Sequence, residues 1–283
     1  MLSLTVENIY NEQLELTNNV NYDVTSITGL NPATAIINTA TSATNDGSFF
    51  NSSRVNNRNI IITIVPEGNI ERNRIELYKY FKTKQMCTLY IANGRRNVYI
   101  TGYVDSMECD FFANKQKIQV SIICPFPYFK DINENTVNFS TVSNSFEFEF
   151  ETNEAGIDIS TLDIVTEQSL LNEGDIACGF VIQLTASRGA VIEPTIYKRG
   201  TTEYLTLHVE FEVGDKIIID TIQGEKSVRL YRNGVETNII NKMDRASTWF
   251  TLDSGDNVFT YACTFGAENL DIQFIQRNLY EGL

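Results

Sequence analysis

The sequence predicts a mainly β protein of two domains, with a single helix in the first. Three observations carry this. The chain has 283 residues, and at about 100–200 residues per domain that length favours two domains over one. Short runs in which apolar and polar residues alternate recur along the chain, the pattern of half-buried strands. One stretch, Asn69 to Lys82, instead spaces its apolar residues at helical intervals.

Leu2, Leu4 and Val6 alternate and open a strand within Leu2 to Tyr10. Gln13 to Thr17 reads as a second short strand, Asn18-Asn19 as a turn, and Tyr22 to Ile27 as a third. Asn31 to Asn57 is crowded with Asn, Ser, Thr and Ala. That is long for a structureless loop, and such segments tend to be functional or disordered. Phe49 and Phe50 inside it suggest an anchor, on this domain's own core or on a neighbouring subunit. Asn59 to Val65 is a β-branched run and hence a buried strand, ended by Pro66 and Gly68. The helix follows, with Asn69 as its N-cap and Ile70, Arg74, Leu77, Tyr78 and Phe81 on one stripe. Cys87 to Ile91 and Asn97 to Thr101 flank Asn93-Gly94, a favoured type I′ pair. Tyr103 to Phe111 and Ile118 to Cys124 make another antiparallel pair. Pro125 and Pro127 then stop sheet propagation, because neither has a backbone donor. The domain boundary falls just beyond, giving an N-terminal domain over 1–133 and a C-terminal domain over 134–283.

The second half reads almost entirely as strands: Phe146–Phe150, Phe180–Thr185, Ala190–Tyr197, Tyr204–Phe211, Lys216–Thr221, Ser227–Tyr231, Thr248–Leu252, Val258–Cys263 and Asp271–Ile275. Asn233-Gly234 marks a tight turn. Many short strands with regular turns imply a β-sandwich.

Groups that carry chemistry are scarce. His208 is the one histidine, and any Ser-His-Asp or Cys-His scheme would need it. It alternates with Leu207 and Val209 and so points to a polar strand face. Glu147, Glu149 and Glu151 alternate with Phe146, Phe148 and Phe150, which reads as carboxylates outward and rings inward, not as a glycosidase pair. Asp253-Ser254-Gly255-Asp256-Asn257 lacks the ligand series of a calcium loop and reads as a turn. Cys87, Cys109, Cys124, Cys178 and Cys263 have no metal-ligand spacing and read as small buried thiols. We expect no catalytic residue, cofactor or metal. The net charge is −14, which argues against nucleic-acid binding and against attachment to an anionic membrane. No run approaches the ~20 apolar residues that span a bilayer, and the N-terminus lacks signal-peptide character, so folding in a cytosol is expected.

The order of several segments resembles the distal tail proteins of long-tailed, siphophage-type bacteriophages and related prophage tails. In the first half these are Gly29-Leu30-Asn31-Pro32, Asp46-Gly47-Ser48-Phe49-Phe50-Asn51, Arg58 to Ile62, Arg74 to Tyr78, Gly102-Tyr103-Val104 with Glu108, and Cys124-Pro125-Phe126-Pro127-Tyr128-Phe129. In the second half they are Gly214 to Thr221, Ser227 to Gly234 and Ser247 to Phe259. The resemblance implies a β-sandwich-like N-terminal domain with one helix and a protruding hairpin or belt, followed by a galectin-like β-sandwich. It implies a homo-hexameric ring that acts as a baseplate hub between the tail tube protein and the tail-tip or fibre protein, with a receptor-binding protein as a further partner. The expected place is the distal end of the virion's tail. In that frame Phe49, Phe50, Arg54 and Arg58 are the candidate ring contacts. The alternative is a carbohydrate-binding module in which Trp249, Tyr204 or Tyr231 stacks on cell-wall sugars.

Overall fold

The computed structural model describes residues 2–41, 43–44, 46–113, 115–139 and 167–283. The expected strand Phe146–Phe150 and its glutamates lie outside these residues. Two compact units form, Met1–Ile132 with Leu279–Leu283, and Asn133–Asn278.

In the first unit the strands are β1 (Ser3–Glu7), β2 (Gln13–Glu15), β3 (Tyr22–Thr28), β4 (Ala35–Thr41), β5 (Ser48–Val55) and β6 (Arg58–Pro66). The helix α1 (Ile70–Tyr80) follows, then β7 (Met86–Ala92), β8 (Asn97–Cys109), β9 (Ile118–Cys124) and β10 (Phe129–Asp131). One antiparallel sheet runs β2-β1-β7-β8-β9-β6-β3, with β10 beside β8. Its inward side chains, among them Leu4, Ile62, Leu89, Ile100 and Val120, belong to one buried cluster, so the sheet curls about its own core. Leu77 and Phe81 close that core from the helix. Asn69 caps the helix as expected, its side chain accepting from the Arg72 N–H at 3.2 Å. Tyr78 departs from the expected stripe and is partly exposed, while Asn73 is buried instead. The Asn73 side chain donates to the Glu67 carbonyl at 2.7 Å, which makes a buried amide tolerable.

Two hairpins differ from the sequence reading. Asn97–Thr101 and Tyr103–Phe111 fuse into the single 13-residue strand β8, which bulges between Val104 and Ser106. Asn93-Gly94 is no type I′ turn. The last paired residues are Ala92 and Asn97, and Gly94 has a positive φ where Asn93 does not. The Asn93 side chain accepts from the Arg95 and Arg96 N–H groups, closing a four-residue loop. Asn233-Gly234 does form the type I′ pair, with φ of 51° and 77°.

The second unit holds β11 (Asn135–Phe139), β12 (Glu167–Asn172), β13 (Phe180–Ala186), β14 (Val191–Lys198), β15 (Tyr204–Thr206), β16 (Glu210–Phe211), β17 (Lys216–Asp220), β18 (Ser227–Arg232), β19 (Val235–Asn238), β20 (Gly255–Phe265) and β21 (Leu270–Gln276). One sheet runs β11-β21-β13-β17-β18-β19. The other runs β12-β20-β14-β15, with β16 also on β14. The sheets meet through aromatic rings: Phe259 of β20 lies 5.5 Å from Phe180 and 5.4 Å from Phe274. This is a β-sandwich. The last strand, β22 (Leu279–Tyr280), pairs with β10 in the first unit.

Thr248–Leu252 is extended but is not a strand; only Leu252 bridges, to Cys178. Phe250 is nevertheless fully buried, which explains its apolar pattern. Tyr204–Phe211 is broken into two strands, because the His208 N–H turns away from the sheet to the Lys242 carbonyl at 2.8 Å.

Gly29 has φ +87°, and a Cβ there would lie 2.2 Å from the Asn59 carbonyl oxygen. Gly29→Ala is expected to cost at least ~2 kcal/mol, read as a drop of several degrees in the Tm of the first unit.

Candidate interaction surface

Residues 31–57, which the composition suggested as a long loop, fold mostly as a two-stranded ribbon. β4 and β5 pair with each other and with no other described strand. The register runs from Ala35↔Val55 to Thr41↔Ser48, with a bulge at Asn51. Alternation along this register puts Ile37, Thr39 and Phe50 on one face, and Ile36, Ala40, Phe49 and Arg54 on the other. Ile37, Phe49 and Phe50 are 63%, 60% and 66% exposed. A lone two-stranded ribbon is marginally stable at best. One with apolar groups on both faces and two open edges is built to be covered. Arg54 is exposed on this ribbon.

Arg58 is not on that surface. It is 2% exposed, so it cannot reach a neighbouring subunit, and its role is internal. Its guanidinium donates to four backbone carbonyls: Gly29 (2.5 Å), Asn31 (2.6 Å), Pro127 (2.6 Å) and Glu281 (2.5 Å). It also stacks over the Phe129 ring at 4.5 Å. Burial pulls its pKa down from the usual arginine range. The outgoing chain at Gly29–Asn31 and the returning chain at Arg58 are thereby tied together at the root of the ribbon. The Asn56 N–H adds a bond to the Thr34 carbonyl at 3.2 Å.

This node unites three of the quoted segments: Gly29–Pro32, Arg58 and Cys124–Phe129. In the second unit two more meet. Arg232 donates to the Asp215 carboxylate at 2.6 and 2.9 Å, joining Gly214–Thr221 to Ser227–Gly234. That pairing, chiefly the Arg232 hydrogen bond, holds the Asp215 carboxyl below its usual range. In the third segment, Asn257 folds the turn onto itself. Its Nδ2 donates to the Asp253 and Gly255 carbonyls, and its Oδ1 accepts from the Asp253 N–H. The Asp253 carboxylate is engaged by Lys198 at 2.7 Å.

The other candidates have structural partners. His208 lies between Glu193 (Nδ1···Oε1 3.0 Å) and Asp244 (Nε2···Oδ2 3.3 Å), so both ring nitrogens are engaged. The hydrogen bond to Glu193, then that to Asp244, raises the His208 pKa. Glu193 is lowered by His208 first, and Asp244 by the Ala246 N–H and then His208. Lys226 lies over the Trp249 ring at 5.6 Å and Lys216 over Tyr231 at 5.3 Å, so each ring has a face taken. Tyr204 packs against Tyr197, with centroids 6.5 Å apart. Cys87, Cys124 and Cys178 are buried, and burial pushes their thiols up to about 12, 12 and 11. No helix among the described residues is long and apolar enough to cross a membrane.

Nothing in the sequence marked the Pro127 and Glu281 carbonyls as partners of Arg58, because backbone acceptors carry no side-chain signal.

Two measurements check this account. Arg58→Met leaves four carbonyls without their donor and is expected to cost about 3–5 kcal/mol. Hydrogen exchange would quicken first at Leu30 and Asn31. For His208 the raised folded pKa means its contribution is complete below the unfolded value of about 6.5 and is lost as pH rises through the folded value. The depressed carboxylates contribute above about 4 and lose that contribution as pH falls. The cluster therefore holds best between those limits. An NMR titration is expected to place His208 above the free imidazole, and Glu193→Gln to lower it.

The family model for the siphovirus-type tail component, C-terminal domain, matches residues 173–277. The crystal structure of SPP1 Dit is described as a paradigm of the hub adsorption apparatus in phages that infect Gram-positive bacteria. It matches with TM-score 0.70 at 12% identity, over 97% of this chain and 98% of that one. A chain of the phage P2 baseplate in its activated conformation with calcium matches with TM-score 0.53 at 11% identity, over 98% of both chains. The strontium form of that baseplate matches with TM-score 0.54 at 10% identity, over 98% of both chains. No curated protein matches the sequence.

Proposed function

We propose, from the premise that residues 173–277 are a siphovirus-type tail component C-terminal domain, that this protein is a structural part of the distal end of a phage tail. In this reading six copies close into a ring, the baseplate hub, between the tail tube protein and the tail-tip or fibre protein. A receptor-binding protein docks on the same assembly. The ring is built by the first unit, residues 1–132 with 279–283, and residues 133–278 form the galectin-like sandwich. The copies are made in the host cytoplasm and end in the virion.

The observation that carries the proposal is the match of fold over the whole length. The match covers 97% of this chain and 98% of the SPP1 Dit chain, and so extends over both units. The surface agrees. An apolar ribbon with two open edges wants a partner, and a cyclic assembly offers each copy the same one. Phe49, Phe50 and Arg54 are the contacts it contributes. The net charge of −14 suits a ring through which DNA passes without adhering. The one imidazole is engaged at both nitrogens by carboxylates. In this reading the protein acts by contact. At Trp249 and Tyr231 a lysine already lies over one face of the ring.

Light scattering and electron micrographs of the purified protein test the reading. The expected particle is a ring of six 32.0 kDa chains, about 192 kDa. Changing Phe49 and Phe50 together to Ser is expected to shift the mass toward the single chain. An unchanged hexamer in that variant would remove the ribbon from the interface.

A further inference from the structure

Residues 279–283 complete the first unit after the second has intervened in the sequence. Leu279 and Tyr280 pair with β10, in the register Phe129↔Tyr280 and Lys130↔Leu279. The Tyr280 hydroxyl donates to the Asp131 carboxylate at 3.0 Å, and the Arg96 guanidinium lies 4.3 Å over the Tyr280 ring. Arg96 also donates to the Gly282 carbonyl. Tyr280 and Leu283 pack on the buried cluster of the first unit. These contacts anchor the segment. Three others fall on the root of the ribbon. The Glu281 carbonyl accepts from Arg58 at 2.5 Å. The Leu283 N–H donates to the Leu30 carbonyl at 3.1 Å. Gly282 sits so close to the outgoing chain that a Cβ there would lie 3.0 Å from Pro32 Cδ and 3.2 Å from the Leu30 oxygen.

The outgoing chain at Gly29–Pro32 is therefore held by Arg58 and by residues 281–283 together. The other Arg58 acceptors, Gly29, Asn31 and Pro127, all precede the second unit in the chain. Residues 281–283 follow it. At about 5–20 residues per second, synthesis of the roughly 146 intervening residues takes about 7–30 s. Through that interval the ribbon has its apolar side chains and open edges but an incomplete root. A slack root leaves the direction of the arm unfixed, so each contact must meet an ordering cost that a firm root removes beforehand. We propose that residues 279–283 are a latch that sets the ribbon, so that a chain offers a firm arm to its neighbours only once its second unit has been made. This rests on the ring reading above and names what regulates the ring contact.

Hydrogen exchange and sedimentation velocity on two variants test it. Gly282→Val keeps the full chain and crowds the latch off Pro32 and Leu30, and a second variant ends at Asn278. In both, exchange at the Asn56 N–H, which bonds the Thr34 carbonyl at the root, is expected to quicken tenfold or more. Ile62 in the first core and Ile182 in the second unit are expected to stay within twofold, and ring formation to weaken about tenfold or more. If Asn56 is unchanged in both variants, or Ile62 quickens as much as Asn56 in both, residues 279–283 do not set the ribbon and the latch is overturned. If Asn56 alone quickens but both variants form the ring as wild type does, the latch does not regulate assembly, and the ring reading stands. If wild type remains at 32.0 kDa at every concentration, the ring reading falls, and exchange at Asn56 against Ile62 decides for or against the latch.

Discussion

A buried guanidinium that donates to four backbone carbonyls organises the first unit. Arg58 keeps its charge in a site where burial opposes it, and the offset comes from four carbonyl dipoles and an aromatic face. Carbonyls are backbone, so each must be delivered by the path of the chain. Gly29 must adopt its left-handed conformation, the Pro127 segment must follow β9, and residue 281 must return beside β10. The interaction therefore selects one arrangement of four distant segments instead of merely strengthening a contact between two. Planar geometry with several donors is what makes this possible, and a lysine in its place could not satisfy the same set.

Around that node the molecule separates two kinds of surface. The inward faces are closed by ordinary means: aliphatic side chains in the first unit, and a stack of Phe180, Phe250, Phe259 and Phe274 in the second. The ribbon is left with its apolar groups outside and its backbone edges unmatched, yet its root is among the best-fastened places in the chain. A firm base beneath an uncovered arm fixes the direction in which the arm is offered, and that lowers the ordering cost of any contact it makes.

Much of this was legible from residue pattern. The β-branched run at Ile60–Ile64, the capped helix and the alternation of β13, β14 and β17 all mark their elements, because each buries one face against a continuous partner. The departures have local causes. At Asn93-Gly94 the asparagine side chain took over the loop's donors, which the dipeptide rule does not consider. Around Phe250 burial occurs without a ladder, so an apolar run looked like a strand. The ribbon was hidden by composition: Asn, Ser and Thr dominate it because no face of it is core in the single chain. Phe49, Phe50 and Arg54 stand out from that background, whereas Arg58, close by in sequence, answers to the interior. Neither exposure nor carbonyl partners can be read from the letter R.

The return of Leu279–Leu283 to the first unit has a consequence of its own. The second unit is an interruption of the first, held by two covalent tethers instead of one. A protease that severs the first tether leaves two chains, joined only by the non-covalent seat of residues 279–283 in the first unit. An exchange of the intervening cassette for another of similar end-to-end spacing would have to preserve the Tyr280 and Glu281 closure, since that short tail completes a site begun some 220 residues earlier.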